Sequence, residues 1–217
     1  MLHWVDETSS TNADLAARAR DLPHGSGLAA RRQTAGRGRL GRTWAEASGN
    51  LYLSVLLKDV VAAELPLVTL GAGVVVVDAV GEGFQLKWPN DVLDRAGRKL
   101  AGVLCEASWE QGRLAHVVVG IGVNVVAAPE GVPATCLADH GVHTDADTLA
   151  ERIRAGLVGL DRPSVLRAWS ERSCTLGRDV QVEGVRGRAV GLGPDGALLV
   201  DTGTGVERVI TGDVGFL

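Results

Sequence analysis

Leu65 to Val80 is an almost unbroken apolar stretch, LPLVTLGAGVVVVDAV, whose only polar members are Thr69 and Asp78. A segment with so little polar surface has to be covered on every side, and that requirement constrains any fold the chain adopts. Its apolar residues follow one another too closely for periodicity to separate helix from strand, but its length favours a buried helix. The most continuous part, Leu65 to Val77, already contains Pro66 and Thr69 and stops at Asp78. That is short of the roughly 18 residues a membrane span requires. At 217 residues, the chain is long enough to supply the cover, as one ordinary domain with a small appendage or as one large domain.

The flanking segments suggest what the cover is. Ser10-Thr11 followed by Asn12 to Asp21 reads as a capped helix start, and Asn50 to Leu57 as a buried strand. Phe84 to Trp88, Leu100 to Glu106 and His116 to Val119 are short strand-like runs separated by turns at Asp94 to Gly97 and Glu110 to Gly112, a meander with its chemistry along strand ends. The spacing Leu149, Ile153, Leu157, Leu160 marks one face of a helix, and Trp169 closes the main domain. After Cys174 short alternating strands at 179–183, 186–190, 197–200 and 207–210 alternate with Gly-rich turns, a small β-barrel pattern. The expected class is therefore α+β, with domains at 1–172 and 173–217.

Composition narrows the function. Lys+Arg 22 against Asp+Glu 26 gives a net charge of −4, so bulk charge does not recommend nucleic acid as a partner. Only Lys58, Lys87 and Lys99 are lysines. Cys105, Cys136 and Cys174 are odd in number and widely spaced, which argues against a disulfide framework or a zinc site and reads as buried packing in a reducing cytosol. The first residues lack a charged region followed by an apolar one, so no signal peptide is expected, and the chain reads as cytoplasmic, with no DNA or membrane partner.

Against this acidic background, five arginines and no acidic residue lie between Arg31 and Arg42, and Gly36-Arg37-Gly38-Arg39-Leu40-Gly41-Arg42 alternates guanidinium groups with glycines. Glycine lets a backbone approach a ligand closely, and arginine offers a planar fork of donors to carboxylate or phosphate. Three readings stay open for this loop: an anion site, a solvated Arg-rich surface, or a dinucleotide fingerprint of the form Gly36-x-Gly38-x-x-Gly41. The fingerprint needs an apolar strand before it and a helix after it, and neither Ala30 to Ala35 nor Arg42 to Glu46 suits.

Further along stand Lys87-Trp88-Pro89-Asn90-Asp91, Arg98-Lys99-Leu100-Ala101-Gly102-Val103-Leu104-Cys105-Glu106 and Gly120-Ile121-Gly122-Val123-Asn124. In order with Ser9-Ser10-Thr11-Asn12, Gln33 and the arginine loop, these segments resemble the biotin protein ligases over most of Glu7 to Val125. No single segment is specific, but the ordered set is. The resemblance implies the mixed-sheet catalytic domain of biotin and lipoate ligases. The end of the chain, down to Gly212-Asp213-Val214, resembles the SH3-like β-barrel of bacterial members. No helix-turn-helix fits before Trp4, so the DNA-binding extension of repressor-type members is expected to be absent.

The resemblance also implies roles. It makes the chain an ATP-dependent ligase that forms biotinoyl-AMP and passes biotin to a lysine of a biotin carboxyl carrier protein, with Mg2+ accompanying ATP. Biotin would meet Ser10, Thr11, Asn12, Gln33, Gly36, Arg37, Gly38, Arg39, Lys99 and Gly102. Gln33 would bond the ureido group, and Lys99 the biotin carboxylate and later the adenylate phosphate. The nucleotide would meet Arg37, Arg39, Arg42, Trp44, Lys87, Asn90, Lys99, Gly122 and Asn124, with Asn124 able to read adenine. Lys99, Arg39 and Asp91 form the catalytic set, Asp91 either binding metal or orienting the incoming lysine. Plainer readings stand beside these: an N-cap at Ser10-Thr11, an Asx turn at Asn90-Asp91, and a tight strand at Gly120 to Asn124. His140-x-x-His143 with Asp145 lacks a third committed ligand and reads as surface. Lipoate ligation and noncatalytic biotin binding are the competing functions.

Overall fold

The computed structural model describes residues 1–217. In chain order it forms β1 (Leu2–Thr8), α1 (Thr11–Ala17), β2 (Gly27–Gln33), β3 (Leu51–Leu57), α2 (Leu65–Val80), β4 (Phe84–Lys87), β5 (Asp91–Asp94), β6 (Lys99–Glu110), β7 (Arg113–Val123), α3 (Ala146–Val158) and α4 (Val165–Glu171). The strands build one mixed sheet in the order β1-β2-β3-β7-β6-β5-β4, in which only the β1–β2 pair is parallel.

The apolar stretch is helix α2 at the limits expected, Leu65–Val80, and it packs against β6, β4, β5, α3 and α4. Together with the preceding 3-10 turn, the 19 residues Ala62–Val80 are long and apolar enough to cross a membrane. Their apolar character is accounted for here by that packing. β3 is buried along its whole length because each face has its own cover. Leu51, Leu53, Val55 and Leu57 join the α2 core, while Leu56 joins Leu15, Ala19, Leu28 and Val118 under α1. Period-2 alternation thus puts Tyr52 and Ser54 on the α1 face of the sheet.

Strand register aligns the site. Tyr52 stands opposite Gly122, Gly122 opposite Gly102 and Gly102 opposite Asp91, while Ser54 stands opposite Gly120 and Gly120 opposite Leu104. Where they cross β7, at Gly122 and Gly120, both rows therefore carry glycine and leave a trough on the α1 face.

The second sheet comprises β8 (Asp179–Val182), β9 (Val185–Leu192), β10 (Leu198–Asp201), β11 (Val206–Val209) and β12 (Gly215–Phe216), in the order β11-β10-β9-β8-β12. It is SH3-like but open, where a barrel was expected. β12 is two residues long and pairs with β8 alone, so no ladder joins it to β11. Val180, Val182, Leu198 and Val200 belong to the same hydrophobic cluster as the main sheet. Trp88 Nε1 donates to Gly196 O at 3.1 Å, and the chain at the expected boundary adds to the edge of β4 through Leu86 N to Arg172 O at 2.8 Å and Cys174 N to Leu86 O at 2.9 Å.

Candidate active site

One cavity in the trough gathers most of the residues singled out in the sequence. Ser10, Thr11, Asn12, Gln33, Arg37, Gly38, Arg39, Arg42, Trp44, Asn90, Lys99, Gly102 and Gly122 all line it. A second cleft beside it is lined by Lys87, Asp91 and Asn124, and the two share Thr43, Trp44 and Lys99. Lys99 therefore stands at the junction of two compartments.

The inner end of the cavity is polar and closed. Ser10 caps α1, its side chain accepting from Ala13 N, which places Thr11 and Asn12 in the first turn. Gln33 Oε1 accepts from Thr11 N at 2.9 Å, the hydroxyls of Thr11 and Ser54 lie 2.8 Å apart, and Ser54 Oγ donates to Asn12 Oδ1 at 2.6 Å. Asn12 Nδ2 donates to Leu104 O at 3.3 Å and to Glu106 Oε2 at 2.7 Å. Thr11, Asn12, Gln33 and Ser54 are all buried. Buried polar groups persist only when hydrogen-bonded, so this network is a pre-set cluster of amides and hydroxyls facing a cavity. Gly120 is required beneath it, because a Cβ there would lie 2.3 Å from Asn12 Oδ1.

The arginine loop covers the outer part. Arg37 bridges Thr43, Gly38 N donates to Arg42 O at 2.7 Å, and Trp44 N donates to Gly36 O at 2.9 Å, so the loop is a folded hairpin. Its tip turns through left-handed conformations at Leu40 (φ 55°) and Gly41 (φ 74°). Tyr52 ties its far base by donating to Ala47 O and accepting from Ala47 N, and burial pushes the Tyr52 hydroxyl above its ordinary pKa. The five arginines do not act together. Arg31 pairs with Asp147 and stacks on Trp4, and Arg32 pairs with Glu7, both on β2 away from the cavity. Gly36 does not line the cavity either. Its lack of a Cβ makes room for Gln33 Nε2 and Trp44 O, which a Cβ would approach to 2.7 and 2.8 Å.

Trp44 fills part of the trough. A Cβ on Gly122 would lie 2.4 Å from its ring and one on Gly102 2.8 Å from it, so the glycines admit an indole where the sequence suggested a nucleotide base. Trp44 Nε1 is buried with no hydrogen-bond partner.

Lys99 Nζ lies 2.6 Å from Asp91 Oδ1 and 5.4 Å from the centre of the Trp44 ring. Its backbone is pinned by Lys99 N to Pro133 O at 2.8 Å and Thr135 N to Lys99 O at 2.9 Å. The preceding turn is set by Asp94, whose carboxylate accepts from Ala96 N, Arg98 N and Arg98 Nε. Burial pushes the Asp94 carboxyl up, but those hydrogen bonds and the Arg98 charge outweigh it and hold the group below its usual range. Arg39 Nη1 donates to Asn90 Oδ1 at 3.1 Å. It also reaches the second sheet, with Gly212 O at 3.3 Å and Asp213 at 3.5 Å, while Arg42 pairs with Asp213 at 2.6 Å.

One expectation is corrected by contact chemistry. The Asn124 side chain, on a residue 2% exposed, donates to Lys99 O and Thr135 O and lies 3.4 Å from Asn50 Nδ2. Its amide is committed within the protein and leaves no free edge to read adenine, so its contribution is to brace Lys99. His140, His143 and Asp145 are exposed, as the sequence suggested, and His140 also meets Phe84 edge-on and lies 3.5 Å from Asp94. Ser54, Glu106, Asn50 and Asp213 were not foreseen. The signal in each case lies in strand register or in a contact between sheets, neither of which a local pattern encodes.

No cage of three or more His, Cys, Asp and Glu side chains is present. Asp91 is the carboxylate at the mouth of the junction, and a single carboxylate oxygen suits Mg2+ shared with nucleotide phosphates.

Residues 4–124 match the biotin/lipoate A/B protein ligase family, and residues 175–217 match the biotin protein ligase C terminal domain. The biotin–[acetyl-CoA-carboxylase] ligase of Mycobacterium tuberculosis is 39% identical, over 98% of this chain and 88% of that protein. A point mutant of the Aquifex aeolicus biotin protein ligase in complex with biotin superposes with a TM-score of 0.81 at 31% identity, covering 100% of this chain and 97% of that one. The enzyme from the same organism in complex with biotin and ATP gives 0.77 at 32% identity, covering 99% and 97%.

Proposed function

The chain belongs to the biotin/lipoate A/B protein ligase family and is a biotin protein ligase, and from that premise we propose that it activates biotin with ATP and transfers it to a lysine of a biotin carboxyl carrier protein in the cytoplasm. Residues 1–172 serve as the catalytic part and 173–217 as an SH3-like part that holds the arginine loop. The observation that carries this reading is Lys99 at the junction of a cavity with a closed amide-and-hydroxyl end and a second cleft bearing Lys87 and Asp91.

The donors of Thr11, Ser54 and Asn12 are engaged within the protein, so Gln33 Nε2 and the spare lone pairs of the network remain for the ureido head, which costs about 1 to 3 kcal/mol if buried unpaired. That head fixed, the valeryl chain points its carboxylate along the trough toward Lys99. One carboxylate oxygen attacks the α-phosphorus, a P–O bond forms, and the bond to the departing pyrophosphate breaks. Lys99 neutralises the repulsion between the two anions as they meet, and its fixed backbone means that little reorganisation is needed. Arg39, held by Asn90, brings a second positive charge to the same junction. Lys87 on the cleft wall faces the phosphate tail. Mg2+, when bound by Asp91 together with the phosphates, would screen their charge.

In the second step the acceptor amine attacks the acyl carbon, the C–N bond forms, and AMP leaves. An amine must shed a proton to do this, and Asp91 is the carboxylate placed to orient it or take that proton. Arg37, Arg39 and Arg42 with their folded loop exclude the water that would hydrolyse the mixed anhydride.

Isothermal titration tests the substrate. Biotin should bind, and more tightly with ATP present, while lipoate should not compete. Lipoate binding with no biotin signal would assign the chain to lipoate ligation within the same fold.

A further inference from the structure

Glu106 lies on β6, two positions beyond Leu104 and therefore on the same face of the strand. It does not line the cavity itself. A single oxygen of its carboxylate, Oε2, accepts from Asn12 Nδ2 at 2.7 Å and from Arg37 Nη2 at 3.0 Å. Asn12 is the last member of the buried polar network at the closed end, and Arg37 belongs to the loop that covers the open side. Glu106 is the only acidic group paired with Arg37. The two regions thus meet in one carboxylate oxygen.

We propose that Glu106 is a positioning residue that couples recognition at the closed end of the pocket to seating of the arginine loop. The inference rests on the biotin ligase reading, and the protein features that motivate it are independent of any ligand. Asn12 has both amide protons and its carbonyl oxygen engaged, so its orientation is fixed by its partners, and Glu106 is the closer of its two acceptors. A ligand head that packs against Asn12 holds that amide, and with it the Glu106 carboxylate, in the position that receives Arg37. Conversely, a seated Arg37 restrains Glu106 and keeps the Asn12 carbonyl oxygen, which has a second lone pair, in place for the ligand. Such coupling is reciprocal by linkage. The Glu106 and Arg37 side chains are 36% and 49% exposed, so their ion pair contributes little to global stability. Its consequence is geometric.

The test uses Glu106→Ala and Glu106→Asp in the full chain, with biotin affinity by calorimetry and tryptic cleavage within Arg37 to Arg42 at saturating biotin. Glu106→Ala should melt close to wild type and bind biotin about tenfold more weakly, because a hydrogen bond to a charged group is lost. Its loop should be cleaved at saturating biotin nearly as fast as without biotin. Glu106→Asp keeps the charge but is too short to meet both donors at once, so it too should lose the protection that biotin is expected to give the wild-type loop. It keeps the proposal open to refutation even if the alanine variant folds poorly. Wild-type protection in Glu106→Asp would overturn the coupling. So would a Glu106→Ala protein that loses affinity yet protects its loop fully, since Glu106 would then serve the pocket alone. Absence of biotin binding by the wild-type protein would instead refute the ligase reading, which separates the two failures.

Discussion

The ammonium of Lys99 is already neutralised by the carboxylate of Asp91, 2.6 Å away on the neighbouring strand. In the proposed mechanism, an incoming biotin carboxylate or α-phosphate would therefore compete for Lys99 with a resident anion. Its success would release Asp91 to meet the acceptor amine, and one ion pair would link the two half-reactions.

Removing either partner should separate those half-reactions. Lys99→Ala should fold normally and cut adenylate formation by two or more orders of magnitude, since a charge aimed at a developing anion is typically worth roughly 3 to 4 kcal/mol. Asp91→Asn should spare adenylation more than transfer. Pyrophosphate release reports the first step and label transfer the second. Lys58, which is exposed and reaches only Arg20 O, is the control, and Lys58→Ala should be nearly silent. Equal pyrophosphate release from Lys99→Ala and wild type would remove Lys99 from the mechanism.

The second sheet should act on catalysis through Asp213. Its carboxylate meets both Arg39 and Arg42, so Asp213→Ala removes the acidic partner of two loop arginines at once. Trypsin should cut within Arg37 to Arg42 severalfold faster than in wild type, and biotin with ATP should restore much of the protection. A cleavage rate unchanged by the substitution would mean that the hairpin bonds alone hold the loop.

Glycines in the trough should tolerate no side chain. A Cβ on Gly120 would displace Asn12, and one on Gly122 would displace Trp44. Overpacking of this kind typically costs about 1 to 3 kcal/mol. Gly120→Ala should weaken biotin binding chiefly, and Gly122→Ala should raise the KM for ATP more than that for biotin. Steady-state kinetics with each substrate varied in turn would expose an identical pattern in the two variants, which the geometry forbids.

Much of this arrangement was legible from local pattern. Helix α2 announced itself by length and apolar continuity, α3 by its Leu149–Ile153–Leu157 face, and β8 to β11 by alternation between turns. β1 and β2 were not seen. β1 is a half-exposed edge strand, and β2 reads GLAARRQ, small and charged residues whose strand state comes from pairing with β1 and β3. The same limit applies to the site. Residues in ordered motifs, such as Gln33 and Lys99, line the cavity, whereas Ser54, Glu106 and Asp213 acquire meaning only when register or docking brings them to Asn12 and Arg39. Asn124 shows the converse, a motif residue whose amide is used up inside the protein.

The turn that carries Lys99 should be acid-sensitive. Because the Asp94 carboxyl is held below its ordinary range in the folded state, its contribution to stability is complete above the unfolded value of about 4 and is lost as pH falls through the lower folded value. Asp94→Asn should lower stability at neutral pH by about 2 kcal/mol and flatten the acid limb below about pH 4. Denaturant midpoints measured across that range should converge for the two proteins on acidification, and parallel curves would mean that Asp94 does not carry the effect.

The most direct test of the central claim is transfer of label. Purified protein, radiolabelled biotin, ATP and a biotin carboxyl carrier domain should yield a carrier labelled on one lysine, with label absent when ATP is omitted and when that lysine is replaced. Tight biotin binding with no ATP-dependent transfer to any carrier would contradict the account and leave a binding protein built on a ligase fold.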